Sequence, residues 1–256
     1  MENFGSTIKT ADGSLTLKDP KHLECYHSHG GARWEARTLY VESSGILDSF
    51  AQTKNNNPSI KKNLTESSCL SVLDVGLGLG YNACSTIEAW ITGPGDKDIT
   101  IQSLEKQEGL VMALISAQAS WQENWPDSWK YWVSKQQLHK NCSKNHYSST
   151  IYHPKTQACC TWLIQILDAH SNMPKPFFSP WHYVWHDPFS PQKNPAMWSP
   201  AWFCHVRENS SPECSLLTYS VSRAVKDALS LSGWQIEKIP ACGPKKSWLK
   251  AKHAKL

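Results

Sequence analysis

Apolar and polar positions along the chain switch between two periods. CLSVLDV (Cys69 to Val75) is a near-continuous apolar run bounded by polar residues, the mark of a strand buried on both faces. YNACSTIEAWI (81–91) then repeats at helical spacing, ITIQSLE (99–105) returns to strand character, and EGLVMALISAQASW (108–121) is helical again. ACCTWLIQIL (158–167), WHYVWH (181–186) and CSLLTYS (214–220) predict further strands. Ser199 followed by Pro200 predicts a helix start ahead of AWFCHVREN, and SRAVKDALSLS reads as a helix closed by Gly233. WQIEKIPA (234–241) and SWLKA (247–251) are the last strands, and the CGPKK link between them is too short for a parallel crossover. The alternation predicts an α/β fold: a mostly parallel, seven-stranded sheet with a C-terminal antiparallel hairpin.

Two stretches break this rhythm. Trp121, Trp125 and Trp129 lie at i, i+4, i+8, but Pro126 interrupts them, so 121–157 is expected to form broken helices. A tryptophan stripe can be a base-stacking platform, yet burying that much ring area favours core, and core is the expectation. Residues 42–68 are polar, Asn/Ser-rich and weakly periodic, which predicts a surface connection. The expected division is therefore an N-terminal extension and connecting segment, 1–62, and a main domain, 63–256.

Composition narrows the class. The chain of 256 residues is 40% hydrophobic and 19% charged, as in globular domains. No apolar run reaches about 18 residues, and the amino terminus lacks a signal-peptide pattern, so a cytoplasmic location is expected. Nine cysteines include an adjacent pair, Cys159 and Cys160, but no C-x-x-C, which suits reduced thiols rather than a disulfide framework or zinc site. The eleven histidines form no metal-binding pattern. Net charge is +4, with lysines clustered at 61–62 and in the C-terminal KKSWLKAKHAKL, compatible with a polyanionic partner.

The chemistry concentrates at strand ends. DVGLGLGYN (Asp74 to Asn82) follows a strand and opens a helix, and Gly76, Gly78 and Gly80 let backbone approach a ligand closely. The spacing is G-x-G-x-G rather than the dinucleotide G-x-G-x-x-G, and Asp74 would repel a pyrophosphate but attract a sulfonium. Glu105, ending the second strand, suits a ribose diol, and Asp168, after the third, suits an adenine amino group. Together these describe an S-adenosylmethionine site in a Rossmann-like, class I methyltransferase fold. HDPFSPQKNP (186–195) places His186 and Asp187 after a buried strand and then restricts the loop with Pro188, Pro191 and Pro195. The stiff loop can hold the Asp187 carboxylate in place at the carboxyl end of its strand, or Asp187 caps backbone amides in an ordinary turn.

DVGLGLGYN, SLEK, HDPFSPQKNPAMW, LLTYSVSRAVKDALSLSGW and GPKKSWL together resemble the MnmC-like family of tRNA wobble-uridine methyltransferases. ECYHSHGGARWEARTLY is similar to that family's approach segment. The resemblance implies a stand-alone methyltransferase form without an FAD-dependent domain. It implies N-methylation of 5-aminomethyl-2-thiouridine in tRNA with S-adenosylmethionine as cofactor and no metal. It also implies Asp187 as the catalytic residue, with Asp74, Gly76, Gly78, Gly80, Asn82, Glu105 and Asp168 toward the cofactor. His186, Phe189, Lys193, Tyr219, Lys245 and Lys246 would face the substrate, Phe189 by stacking on uracil, and the protein would be a monomer. Methylation of a small amine and an inactive binding protein of the same fold are the alternatives; glycine spacing and Asp74 disfavour a nicotinamide oxidoreductase.

Overall fold

The computed structural model describes residues 4–51, 69–141, 144–241 and 247–254. Strands β1 (Ser6–Lys9) and β2 (Leu15–Lys18) form a separate antiparallel ribbon. Helix α1 (Ala32–Glu35) runs directly into a π-helical segment, Ala36–Glu42, and α2 (Ile46–Ser49) follows. The alternating part begins with β3 (Cys69–Val75), α3 (Tyr81–Thr92), β4 (Asp98–Glu105) and α4 (Glu108–Ile115). Next come α5 (Asp127–Ser134), β5 (Gln137–Asn141), β6 (Lys144–Tyr152), β7 (Cys159–Ile166) and β8 (Trp181–His186). Then follow α6 (Pro200–Glu208), β9 (Ser210–Thr218), α7 (Arg223–Leu231), β10 (Trp234–Pro240) and β11 (Ser247–His253).

The last nine strands form one sheet in the order β10-β11-β9-β8-β3-β4-β7-β6-β5. From β9 to β7 the neighbours are parallel; β11 and β10 extend one edge antiparallel, and β6 and β5 the other. The sheet is thus mixed and nine-stranded, not the mostly parallel, seven-stranded sheet expected. The added strands are β5 and β6, from the stretch expected to be broken helices. Strand β6 does alternate, burying Tyr147, Ser149 and Ile151, but a serine among those positions and polar residues between them leave no apolar run to mark it. Of that stretch only α5 and a short 3-10 turn, Ser120–Gln122, are helical.

Side-chain alternation along the strands feeds two cores, one on each face. Val72, Trp162 and Trp185 point to the face carrying α3, while Leu73, Val75 and Val184 pack against α6 and α7. Trp121, Trp125 and Trp129 are core, as expected from burial economics; Tyr81 meets Trp125 and Trp129 edge-on, with ring centroids 5.4 and 5.9 Å apart. Ser199 caps α6, its hydroxyl accepting the Trp202 N–H at 3.2 Å, and Ser222 does the same for α7 through Val225. The seven cysteines among the described residues are free thiols.

The N-terminal segment is strapped onto this sheet rather than trailing from it. The Tyr81 hydroxyl donates to the Leu15 carbonyl at 2.7 Å, and Arg33 pairs with Glu88 at 2.9 Å. Lys250 on β11 donates to the carbonyls of Ser43 and Ser44 at 3.0 Å. The expected division at 62/63 falls outside the described residues.

Removing a core ring should be costly and removing an exposed side chain should not. Trp129→Ala, at a fully buried position, is expected to lower unfolding free energy by about 3–5 kcal/mol. Leu231→Ala, at an exposed one, should stay within about 0.5 kcal/mol of the parent. Chemical denaturation of the two variants beside the parent measures both.

Candidate active site

The parallel strands end together, and the loops leaving β3, β4, β7 and β8 surround a cleft of ≈ 1140 Å³. Its floor is the turn after β3. Gly76 has φ +84°, and a Cβ there would lie 2.8 Å from the Asp187 carbonyl oxygen, so only glycine lets the two loops meet. A Cβ on Gly78 would lie 3.1 Å from the Tyr26 ring, which closes over the turn from the N-terminal segment.

Glu105, at the end of β4, lies beside this turn. One carboxylate oxygen accepts the Gly78 N–H at 3.0 Å; the other accepts Lys106 and Gln107 N–H groups at 2.9 and 3.0 Å. Burial pushes its pKa up while these three donors pull it back. Asp168 lies at the rim in a 2.6 Å ion pair with Lys106, whose hydrogen bond holds the carboxyl below its usual range.

Asp187 lines the opposite wall. Its N–H donates to the Val75 carbonyl at 3.0 Å, and its carboxylate accepts the Asn82 side-chain amide at 2.9 Å. The loop after it is fastened at several points beyond its prolines. Tyr219 donates to the Pro188 carbonyl at 3.0 Å, and Trp198 to that of Phe189 at 2.9 Å. Glu24 accepts both the N–H and the hydroxyl of Ser190. The Phe189 ring stacks on His22 with centroids 4.2 Å apart and tilts against Tyr26 at 5.0 Å.

Of the residues singled out in the sequence, Gly76, Gly78, Glu105 and Asp168 line the cleft, as do Asp187, Phe189, Lys193 and Tyr219. Four stand behind its wall. Gly80 caps α3, where a Cβ would press on Leu114 at 3.0 Å. Asp74 is fully buried, accepting the Ser103 hydroxyl at 2.7 Å, and Asn82 is buried beside it. His186 packs between Trp198, Trp202 and Phe203, and burial pushes its pKa down to about 3. Lys245 and Lys246 lie outside the described residues.

Residue-level reading missed the contribution of the N-terminal segment. His22, Glu24, Tyr26 and Glu35 all line the cleft. The buried Tyr40 hydroxyl, raised well above its usual pKa by burial and then by the charges of Asp187 and Glu35, lies behind it. The signal was the run ECYHSHGGARWEARTLY, whose polar and aromatic residues follow no helical or strand period that would assign them to a wall.

Residues 130–254 match the model of a family described as S-adenosyl-L-methionine-dependent methyltransferases. The chain is 25% identical over 240 residues to the bifunctional tRNA 5-methylaminomethyl-2-thiouridine biosynthesis protein MnmC of Legionella pneumophila, covering 91% of this chain and 34% of that protein. It is 24% identical over 264 residues to the MnmC of Acidovorax sp., covering 93% of this chain and again 34% of that protein. The chain is thus similar to MnmC over most of its own length and to an S-adenosyl-L-methionine-dependent methyltransferase family over residues 130–254. It spans about a third of the length of these relatives. The crystal structure of MNMC2 from Aquifex aeolicus superposes with a TM-score of 0.72 at 23% identity, covering 100% of this chain and 73% of that one. The fold is therefore that of the class I methyltransferases, with a mixed, nine-stranded sheet, and the matched family points to S-adenosyl-L-methionine as cofactor. Among the described residues, no helix is long and apolar enough to cross a membrane.

The depressed pKa of His186 sets a pH dependence of stability. In the folded chain the imidazole stays neutral down to about pH 3, whereas the unfolded chain takes up its proton near 6.5. Stability is thus undiminished above pH 6.5 and is lost progressively as pH falls from there toward 3. His186→Phe should lack this loss, so the gap between parent and variant should shift in favour of the variant as pH falls from 7 to 4. Urea titrations at each pH measure it.

Proposed function

We propose that the chain N-methylates the primary amine of 5-aminomethyl-2-thiouridine at the tRNA wobble position, giving 5-methylaminomethyl-2-thiouridine. One observation carries this reading: the glycine turn of β3 and the Asp187 loop of β8 meet in a single cleft, so a cofactor bed and an amine-accepting carboxylate face the same space. The names of the relatives support the substrate, and a cytoplasmic location goes with it.

The residues present fit the cofactor. Gly76 and Gly78 leave bare backbone on the floor, and the Glu105 carboxylate faces the cleft with acceptor capacity left for a diol. Asp168 at the rim, paired with Lys106, suits the adenine amino group. When bound, S-adenosyl-L-methionine supplies an electrophilic methyl group on a sulfonium. The chain has to deliver a neutral amine in line with it. A primary amine with a pKa near ~10 is almost wholly protonated at neutral pH. Asp187 receives that proton, directly or through water, and holds the nitrogen by a hydrogen bond. The clipped loop keeps Asp187 from drifting, because placement supplies much of the rate in a transfer without a covalent enzyme intermediate. Phe189, its ring fixed by His22 and Tyr26, stacks on the uracil, while Lys193 and Tyr219 border the same wall.

Asp187→Asn and Asp187→Ala should slow single-turnover methylation of tRNA carrying 5-aminomethyl-2-thiouridine by about 10²-fold or more. Calorimetric affinity for S-adenosyl-L-methionine should change little. Part of the loss should return at high pH, where more of the amine is already neutral; near-normal rates in the Asn variant would leave Asp187 a positioning group only. Replacing Lys245 and Lys246 by Ala should reduce the slope of log K for tRNA against log salt by up to about 2. Unchanged, salt-independent binding would favour a small amine as substrate.

A further inference from the structure

One stretch of the chain holds all of its excess positive charge. Between Asp127 and Asp187 lie six lysines and a single acid, Asp168, so this stretch exceeds the net +4 of the whole chain and the rest is close to neutral. Asp168 is itself paired with Lys106. Three of the six lysines, Lys140, Lys144 and Lys175, fall on the β5–β6 hairpin and on the loop that follows Asp168. The same two pieces carry exposed rings. Phe177 is 47% exposed and Phe178 62%, and they meet edge-on with centroids 4.9 Å apart. Phe177 tilts against His146 at 5.8 Å, and His146 stacks on His139 of the neighbouring strand at 5.2 Å, with ring planes 16° apart. Rings left bare on a basic surface imply a partner.

Strand register ties this ladder to the cleft. His139 pairs with His146, His146 with Gln165, Gln165 with Leu104 and Leu104 with Val75, so all five share one row and one face of the sheet. Val75 immediately precedes Gly76, and strand spacing puts His146 and His139 about 14 and 19 Å along the row from it. Gln137 and Thr150, on the same face of the hairpin, are exposed. The loop is stiff. Pro174, Pro176 and Pro180 restrict it. The Gln102 amide donates to the Gln165 side chain at 2.7 Å and to the Lys175 carbonyl at 3.0 Å, and the His205 ring donates to the Pro174 carbonyl at 2.6 Å.

We propose that the β5–β6 hairpin and this loop form a docking surface for single-stranded RNA, whose unpaired bases stack on Phe177, Phe178 and His139 while the lysines meet its phosphates. The proposal rests on the reading of the cleft as a tRNA site: a wobble nucleotide belongs to a single-stranded loop, and its neighbours leave the cleft across one rim. Every base has an aromatic face, so such rings serve any sequence, and lysine meets a phosphate as a point charge. Rings already fixed by their loop lose little freedom when a base covers them. A second copy of this chain is a poorer occupant, because a two-fold contact sets the lysines against their own symmetry mates.

The double variant Phe177→Ala/Phe178→Ala removes both rings and no charge. By fluorescence anisotropy, its affinity for an anticodon stem-loop RNA should fall about tenfold or more, while affinity for a blunt RNA duplex of equal length should stay within about twofold. Its slope of log K against log salt should match the parent's, whereas Lys175→Ala should reduce the slope by about one. Phe177→Tyr/Phe178→Tyr keeps the ring faces and should bind the stem-loop like the parent. With tRNA as substrate, the double alanine variant should raise KM with little change in kcat. Full stem-loop affinity without the rings, or equal losses for stem-loop and duplex, would overturn the proposal. So would a parent dimer that the double variant turns into a monomer in light scattering, since the surface would then be a self-contact. A parent that methylates tRNA with the same KM as the variant sinks the docking surface alone. Ring-dependent stem-loop binding by a parent that methylates no tRNA supports the surface and sinks only the assignment of the methylated nucleoside.

Discussion

The hydrogen bond from the Asp187 N–H to the Val75 carbonyl, 3.0 Å long, joins two loops that the rest of the site is built around. It is the last rung between β3 and β8, placed where both strands turn away from the sheet. Because the backbones are that close, the position after Val75 tolerates no side chain, and the φ of +84° at Gly76 suits only glycine. From this one junction the glycine turn runs to one side and the acid loop to the other. The proposed cofactor bed and amine-accepting carboxylate are therefore adjacent by construction.

The central part of this arrangement was readable in the chain. CLSVLDV and WHYVWH became β3 and β8 at the residues expected, because strands buried on both faces carry short, continuous apolar runs rich in β-branched or aromatic residues. The glycines and the acids Glu105, Asp168 and Asp187 follow such strands, and the carboxyl ends of parallel strands gather on one edge. Strands β5 and β6 were not legible, since an edge pair with Ser149 on its buried side gives no apolar alternation. Asp74 and Asn82 were legible as site residues but not as lying behind the wall. Both lie inside the elements that flank the turn, Asp74 in β3 and Asn82 in the first turn of α3, where their side chains face neighbouring strands and loops rather than the cleft.

The N-terminal segment is the other element that sequence patterns left unassigned. Its local structure is slight, a short ribbon and a π-helical segment, so its fold is set by contacts with distant partners. Glu24 clips Ser190, His22 and Tyr26 fix Phe189, and Tyr26 covers Gly78. It thus touches both halves of the cleft, and the floor and the loop are held in register by a third party.

Lys250 reaches back more than two hundred positions to hold the carbonyls of Ser43 and Ser44, and Trp34 packs against Trp248 with ring centroids 5.8 Å apart. These contacts impose an order on biogenesis. The first-synthesised segment leaves the ribosome long before β11 exists, and its place in the sheet domain is made partly by that strand. At about 5–20 residues per second, the interval between Ser43 and Lys250 is on the order of 10–40 seconds, during which these contacts cannot form. Contacts of such high sequence separation also carry a high closure cost. A chain stopped before β11 would leave Trp34 without Trp248 and the Ser43 and Ser44 carbonyls without Lys250.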